Sequence, residues 1–94
     1  MKSNPVLKIR KELGLTRNEF STLLKVSYDS IYKVEKGIVR QPYMGIIKGL
    51  KNLGYDEEKI IKDYKKFHNE IREEIIEYIK TQNSLNGGEA SEYK

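Results

Sequence analysis

The residues of this chain best equipped for chemistry are its cations. Residues 1–55 hold eleven Lys and Arg against four acids (Glu12, Glu19, Asp29, Glu35), a net +7, whereas residues 56–94 hold seven against ten, a net −3. Behind the overall charge of +4 lies a basic N-terminal part joined to a mildly acidic C-terminal one. Ammonium and guanidinium groups at that density attract polyanions, displacing counterions and donating hydrogen bonds to phosphate oxygens. Other chemistries lack their residues. The absence of cysteine excludes disulfides and thiolate metal sites, and a single histidine, His68, argues against a metal centre. There is no glycine-rich phosphate loop and no Ser/His/Asp arrangement, so no enzymatic activity and no cofactor are expected.

Ninety-four residues with 37% hydrophobic content suffice for one domain whose core is built mainly from Ile, Leu and Val. Such a core is modest, and dimerisation would add burial. The N-terminal stretch lacks the apolar run of a secretory signal, and no segment approaches the roughly 20 apolar residues of a membrane span. A soluble, cytoplasmic protein without a membrane partner is expected.

The cations must be held by helices. Ser3-Asn4-Pro5 supplies a cap and a first-turn proline for a first helix that carries Val6, Ile9 and Leu13 and stops at Gly14. Thr16 and Glu19 form an S/T-x-x-E capping box at the start of a second, which turns Phe20, Leu23 and Leu24 inward. Residues 25–27 break that run, and Ser27 caps a third helix with Ile31 and Val34 on its apolar face and Gly37 at its end. A fourth helix follows Pro42, with Ile46, Ile47, Leu50 and Leu53 at helical spacing. Gly45 and Gly49 each cost it about 1 kcal/mol of propensity, which predicts close helix packing at both. Beyond Gly54, apolar positions from Ile60 to Ile79 make a long element, about 40 Å if unbroken; His68-Asn69-Glu70 is where a break is expected if there is one, with Asn69 as cap of a sixth helix. The segment 83–94 reads as a disordered tail.

Two short helices joined by about three residues have the dimensions of a helix-turn-helix, though spacing alone is a weak signal. The fuller pattern is specific. Leu13-Gly14-Leu15-Thr16-Arg17-Asn18-Glu19-Phe20, followed by Val26-Ser27-Tyr28-Asp29-Ser30-Ile31-Tyr32-Lys33-Val34-Glu35-Lys36-Gly37, resembles the Cro/CI-type (XRE-type) repressor family of prokaryotes and phages. Pro42 and Leu53-Gly54 also fit, and the resemblance covers roughly half of the chain. Lys25 departs from it, standing where the family usually has a glycine with positive φ.

The resemblance implies an all-α, lambda-repressor-like bundle of about five helices with an extended C-terminal helix or helices. It implies a structural ion pair between Arg10 and Glu35. Arg17 takes a position that contacts the DNA backbone and braces the third helix, with a solvated arginine as the plain alternative. Ser27, Tyr28, Asp29, Tyr32 and Lys33 take the helix face that enters the major groove. Asp29 is equally well read as a charge favoured by a helix N-terminus. Lys36 and Arg40, assisted by Gln41, take positions that meet phosphate.

Three segments are therefore expected: a helix-turn-helix core over 1–55, an amphipathic helical extension over 56–82, and the tail over 83–94. In the extension Ile71, Ile75, Tyr78 and Ile79 form a stripe that either folds back on the domain or makes a dimer or partner surface. The expected function is that of a sequence-specific transcriptional regulator, repressor-like and dimeric, bound to a double-stranded operator. The alternative is a module of the same fold that binds another regulator protein, in the manner of an antirepressor or antitoxin, rather than DNA.

Overall fold

The computed structural model describes residues 3–85, which form five helices and no strand. The boundaries of the first three have local causes. In α1 (Pro5–Leu13) the Asn4 carboxamide oxygen accepts from the Val6 and Leu7 amides at 3.0 and 3.3 Å, and Gly14 closes the helix at φ 71°. In α2 (Arg17–Leu24) the capping box is complete, with Thr16 Oγ1 accepting from Glu19 N at 3.1 Å and Glu19 Oε1 accepting from Thr16 N at 2.9 Å. Lys25 ends α2 at φ 60°, the left-handed conformation that its position in the turn demands. Ser27 caps α3 (Tyr28–Lys36), and Gly37 ends it at φ 76°.

All five helices feed one core. Val6 and Ile9 of α1, Phe20 and Leu24 of α2, and Ile31 and Val34 of α3 meet Ile46, Ile47 and Leu50 of α4 (Met44–Asn52) and Ile60, Tyr64 and Phe67 of α5 (Glu57–Leu85). The two glycines of α4 have the packing role expected of them. A Cβ on Gly49 would stand 3.3 Å from the Leu24 Cα, and one on Gly45 would stand 3.0 Å from Val26 Cγ1. The α4 backbone thus lies directly on the end of α2 and the turn after it.

Two contacts fix α3 from behind. The buried Asn4 side chain donates to the Val34 and Glu35 carbonyls at 2.9 and 3.1 Å, so the residue that starts α1 also satisfies the last turn of α3. The Tyr64 hydroxyl lies within donating distance of the Val34 carbonyl at 3.2 Å and the Val39 carbonyl at 2.8 Å, tying α5 to α3 and to the loop beyond it. Burial pushes the Tyr64 phenol up to about 12.

Several expectations need correction. The helix does not break at Asn69: α5 is continuous over 29 residues, about 43 Å at 1.5 Å per residue. Phe67 and Ile71 seat on Gly37 from either side of Asn69, and an asparagine costs a helix less than 1 kcal/mol, so packing prevails. Leu23 does not point inward and is 46% exposed, because two turns of helix seat only one i,i+4 pair, Phe20 and Leu24, in the core. Leu13 and Leu53 are exposed as well. Residues 83–85, expected in the tail, belong to α5; the rest of that expected tail, 86–94, lies outside the described residues. No helix among the described residues is long and apolar enough to cross a membrane.

Candidate nucleic-acid interface

The α2–α3 pair is organised around one buried carboxylate. The Glu35 side chain is 1% exposed, and both of its oxygens are engaged. Arg10 Nε donates to Oε2 at 2.6 Å and Arg10 Nη2 to Oε1 at 3.1 Å, while Arg17 Nε donates to Oε1 at 2.9 Å. Arg10 also donates to the Leu15 carbonyl at 2.9 Å, pinning the loop before α2. One acid at the end of α3 thereby holds α1 and α2 to it, and two cations around a single anion leave the cluster one positive charge. The Arg10–Glu35 pair has the expected partners; Arg17 joins it as a second donor that family resemblance alone did not place on Glu35.

Arg17 therefore braces α3 directly. Its guanidinium is held above its ordinary range first by the Glu35 carboxylate and second by the Tyr28 phenol. It also lies over the Tyr32 ring, 5.3 Å from the centroid, and Lys36 Nζ approaches the same ring at 5.7 Å. Tyr32 is a platform for two cations, each contact worth about 0.5–1 kcal/mol at an exposed site. Its spacing to Lys36, i,i+4 on one helix, was readable in the sequence; its contact with Arg17 depends on how α2 crosses α3.

Asp29 and Lys33 settle each other. Lys33 Nζ lies 3.0 Å from Asp29 Oδ2, and the carboxylate raises the lysine above its ordinary range. Both side chains face solvent, which screens this i,i+4 pair, so it opens readily and leaves Lys33 free to reach a ligand. Ser27 is committed to capping: its Oγ accepts from Ser30 N at 3.1 Å and lies 2.8 Å from Ser30 Oγ.

The outer face of α3 accordingly presents Tyr28, Asp29, Tyr32, Lys33 and Lys36, while Ile31 and Val34 are fully buried. Ile38, Tyr43 and Met44 add exposed apolar surface in the α3–α4 connection and at the start of α4. Arg40, expected beside Lys36 as a phosphate contact, lines a separate cleft against α5 together with Gln41, Lys65, His68 and Asn69. The basic residues of α5 were overlooked in the sequence because the C-terminal part is acidic in sum. No cluster of three or more His, Asp, Glu or Cys able to hold a metal occurs among the described residues.

No family model, curated protein or solved structure matches the chain. The functional reading rests on motif and geometry.

The C-terminal stripe divides at one residue. Ile71 packs on the core, with its Cδ1 occupying the space a Cβ on Gly37 would need. It therefore leaves the interface group and joins the domain. Ile75, Tyr78 and Ile79 remain exposed on the projecting part of α5, continuing the line of Tyr64 and Ile71.

Proposed function

We propose that this chain is a DNA-binding transcriptional regulator of the Cro/CI type, acting in the cytoplasm by occupying an operator. The observation that carries this reading is the α2–turn–α3 unit itself. Its outer face exposes Tyr28, Lys33 and Lys36, while Glu35, Arg10 and Arg17 fix its orientation from within. Rigid support behind a helix surface of cations and hydrogen-bonding side chains is what major-groove reading requires. Lys33 is the candidate for guanine O6 or N7, and Tyr28 for a thymine methyl or a phosphate. Lys36 supplies affinity without sequence information. The proposed protein binds and does not catalyse. It dimerises through Ile75, Tyr78 and Ile79, so that two recognition helices meet two half-sites.

Fluorescence anisotropy against duplexes selected from a random pool tests the reading. Selected DNA should bind more tightly than its scrambled counterpart at physiological salt. Replacing Lys36 by Ala should lower the dependence of log K on log salt by about 1, the value of one lost phosphate contact, while Lys33→Ala should relax the preference for the selected sequence. Equal binding of selected and scrambled duplexes would sink sequence-specific regulation.

A second reading is favoured by a specific observation. Tyr28, Tyr32, Ile38, Tyr43 and Met44 are all exposed, and the Asp29–Lys33 pair is neutral in sum. Aromatic and methionine side chains suit a protein interface, so a module that binds another regulator has its own support here. Cellular activity that survives Lys33→Ala and Lys36→Ala together would decide for it.

A further inference from the structure

The cleft between the α3–α4 loop and α5 joins two cations from opposite walls. Arg40 and Gln41 stand on the loop side, and Lys65, His68 and Asn69 on the helix side, around a space of about 420 Å³. Every lining side chain can donate a hydrogen bond, and none is a carboxylate. Along α5 the same face continues as Lys62, Lys65, Asn69 and Arg72, at i, i+3, i+7 and i+10; the neighbouring Asp63 feels the charge of Lys62 but is bonded to Lys59 at 2.8 Å.

The walls are held in place by the core. Tyr64 bonds the Val39 carbonyl at 2.8 Å, one residue before Arg40. The His68 ring stacks on Tyr64, with centroids 6.4 Å apart and planes at 25°. A single buried side chain thus sets both the loop that carries Arg40 and the ring that faces it. Arg40 offers a planar fork suited to a tetrahedral oxyanion, Lys65 a point charge, and the two amides and the imidazole the remaining donors.

We propose that this cleft binds a phosphate group. Its volume exceeds that of the oxyanion alone and lies in the range of small-molecule sites, which favours a phosphorylated small molecule; the other source of the same chemistry is a DNA backbone phosphate. The site is independent of base reading by α3.

Inorganic pyrophosphate titrated into the ¹⁵N-labelled full chain at physiological salt is the direct test. Saturable shifts centred on the Gln41 and Asn69 side-chain amides and on His68 are expected. Lys65→Gln should weaken that binding about tenfold, and Lys65→Gln combined with His68→Gln should abolish it, with thermal unfolding monitored to show that both variants fold. Shifts spread evenly over all lysines, or binding unaltered by Lys65→Gln, would overturn the proposal. The source is read from DNA binding by the same variant. A salt dependence lowered by about one unit assigns a backbone phosphate, and an unchanged one, with pyrophosphate binding lost, assigns a free phosphate compound. Pyrophosphate binding by a chain that binds no DNA would leave this site standing and remove the regulator reading.

Discussion

The domain around α3 and the projecting part of α5 are both helical and both charged, yet they are determined in different ways. Around α3, side chains serve two elements at once: Asn4 caps α1 and closes α3, Glu35 ends α3 and anchors α1 and α2, and Tyr64 joins α5 to α3 and its loop. Beyond Ile71 the apolar stripe of α5 leaves the core. Ile75, Tyr78 and Ile79 are 53, 65 and 48% exposed, and the helix there rests on its own propensity and on local bonds such as Thr81 Oγ1 to the Glu77 carbonyl at 3.0 Å. The first region is a platform that needs no partner. The exposed stripe of the second would gain apolar burial by association, which is the physical reason for proposing a contact between copies there.

The largest test of that contrast removes a carboxylate from each region. Glu35→Ala strips both arginines of their shared partner and leaves two guanidinium groups beside the core. Urea unfolding should show a loss of about 2–3 kcal/mol, that of charged hydrogen bonds, and short of a fully buried pair broken on one side, because the partly exposed arginines can rehydrate. Glu77→Ala, on the exposed projecting helix, should stay within about 0.5 kcal/mol. Comparable losses from both substitutions would mean that the extension is as tightly built as the domain.

A middle-sized effect comes from Tyr64, whose phenol is raised from 10.0 to about 12 by burial. The unfolded chain ionises near 10 and the folded chain resists, so this contribution to stability is fully present below pH 10 and is lost as pH rises through 12. The loss is of order 2 kcal/mol. Stability measured against pH should fall more steeply above pH 10 for the parent chain than for Tyr64→Phe, which also forfeits the hydroxyl's bonds to Val34 and Val39. An identical alkaline fall in both would remove Tyr64 as its cause.

Most of the platform was legible in the sequence because its signals are local. A capping box, a serine cap and the glycines at 14 and 37 announce helix ends regardless of what surrounds them, and i,i+3 and i,i+4 apolar spacing announces the core face. The Gly45 and Gly49 contacts were legible as a need for close packing, since nothing else repays two glycines in one short helix. What was not legible depends on how helices cross. Nothing local places Arg17 on Glu35, eighteen residues away, or directs Asn4 onto α3 carbonyls, or sets Arg40 opposite Lys65. Leu23 failed for a related reason: periodicity gives a face, and only the width of the contact decides which residues at its edge are covered. The expected break at Asn69 failed because a weak local preference met Phe67 and Ile71 packed on Gly37.

The smallest effect draws the boundary between the two regions most sharply. Ile71 and Ile75 lie one turn apart on the same line of α5, with the same side chain, and differ in whether the domain covers them. Ile71→Ala removes contact with Gly37 and the core at a half-buried site. About 1–2 kcal/mol of monomer stability should go, short of the 2–5 kcal/mol lost on truncating a fully buried isoleucine to alanine. Ile75→Ala should leave the unfolding of dilute protein unchanged and, where the projecting stripe pairs two copies, weaken self-association measured by sedimentation. The two substitutions thus report on different equilibria, one independent of protein concentration and one governed by it. If Ile75→Ala destabilises dilute monomer as much as Ile71→Ala does, the domain covers more of α5 than its exposure implies, and the proposed contact between copies loses its place at Ile75.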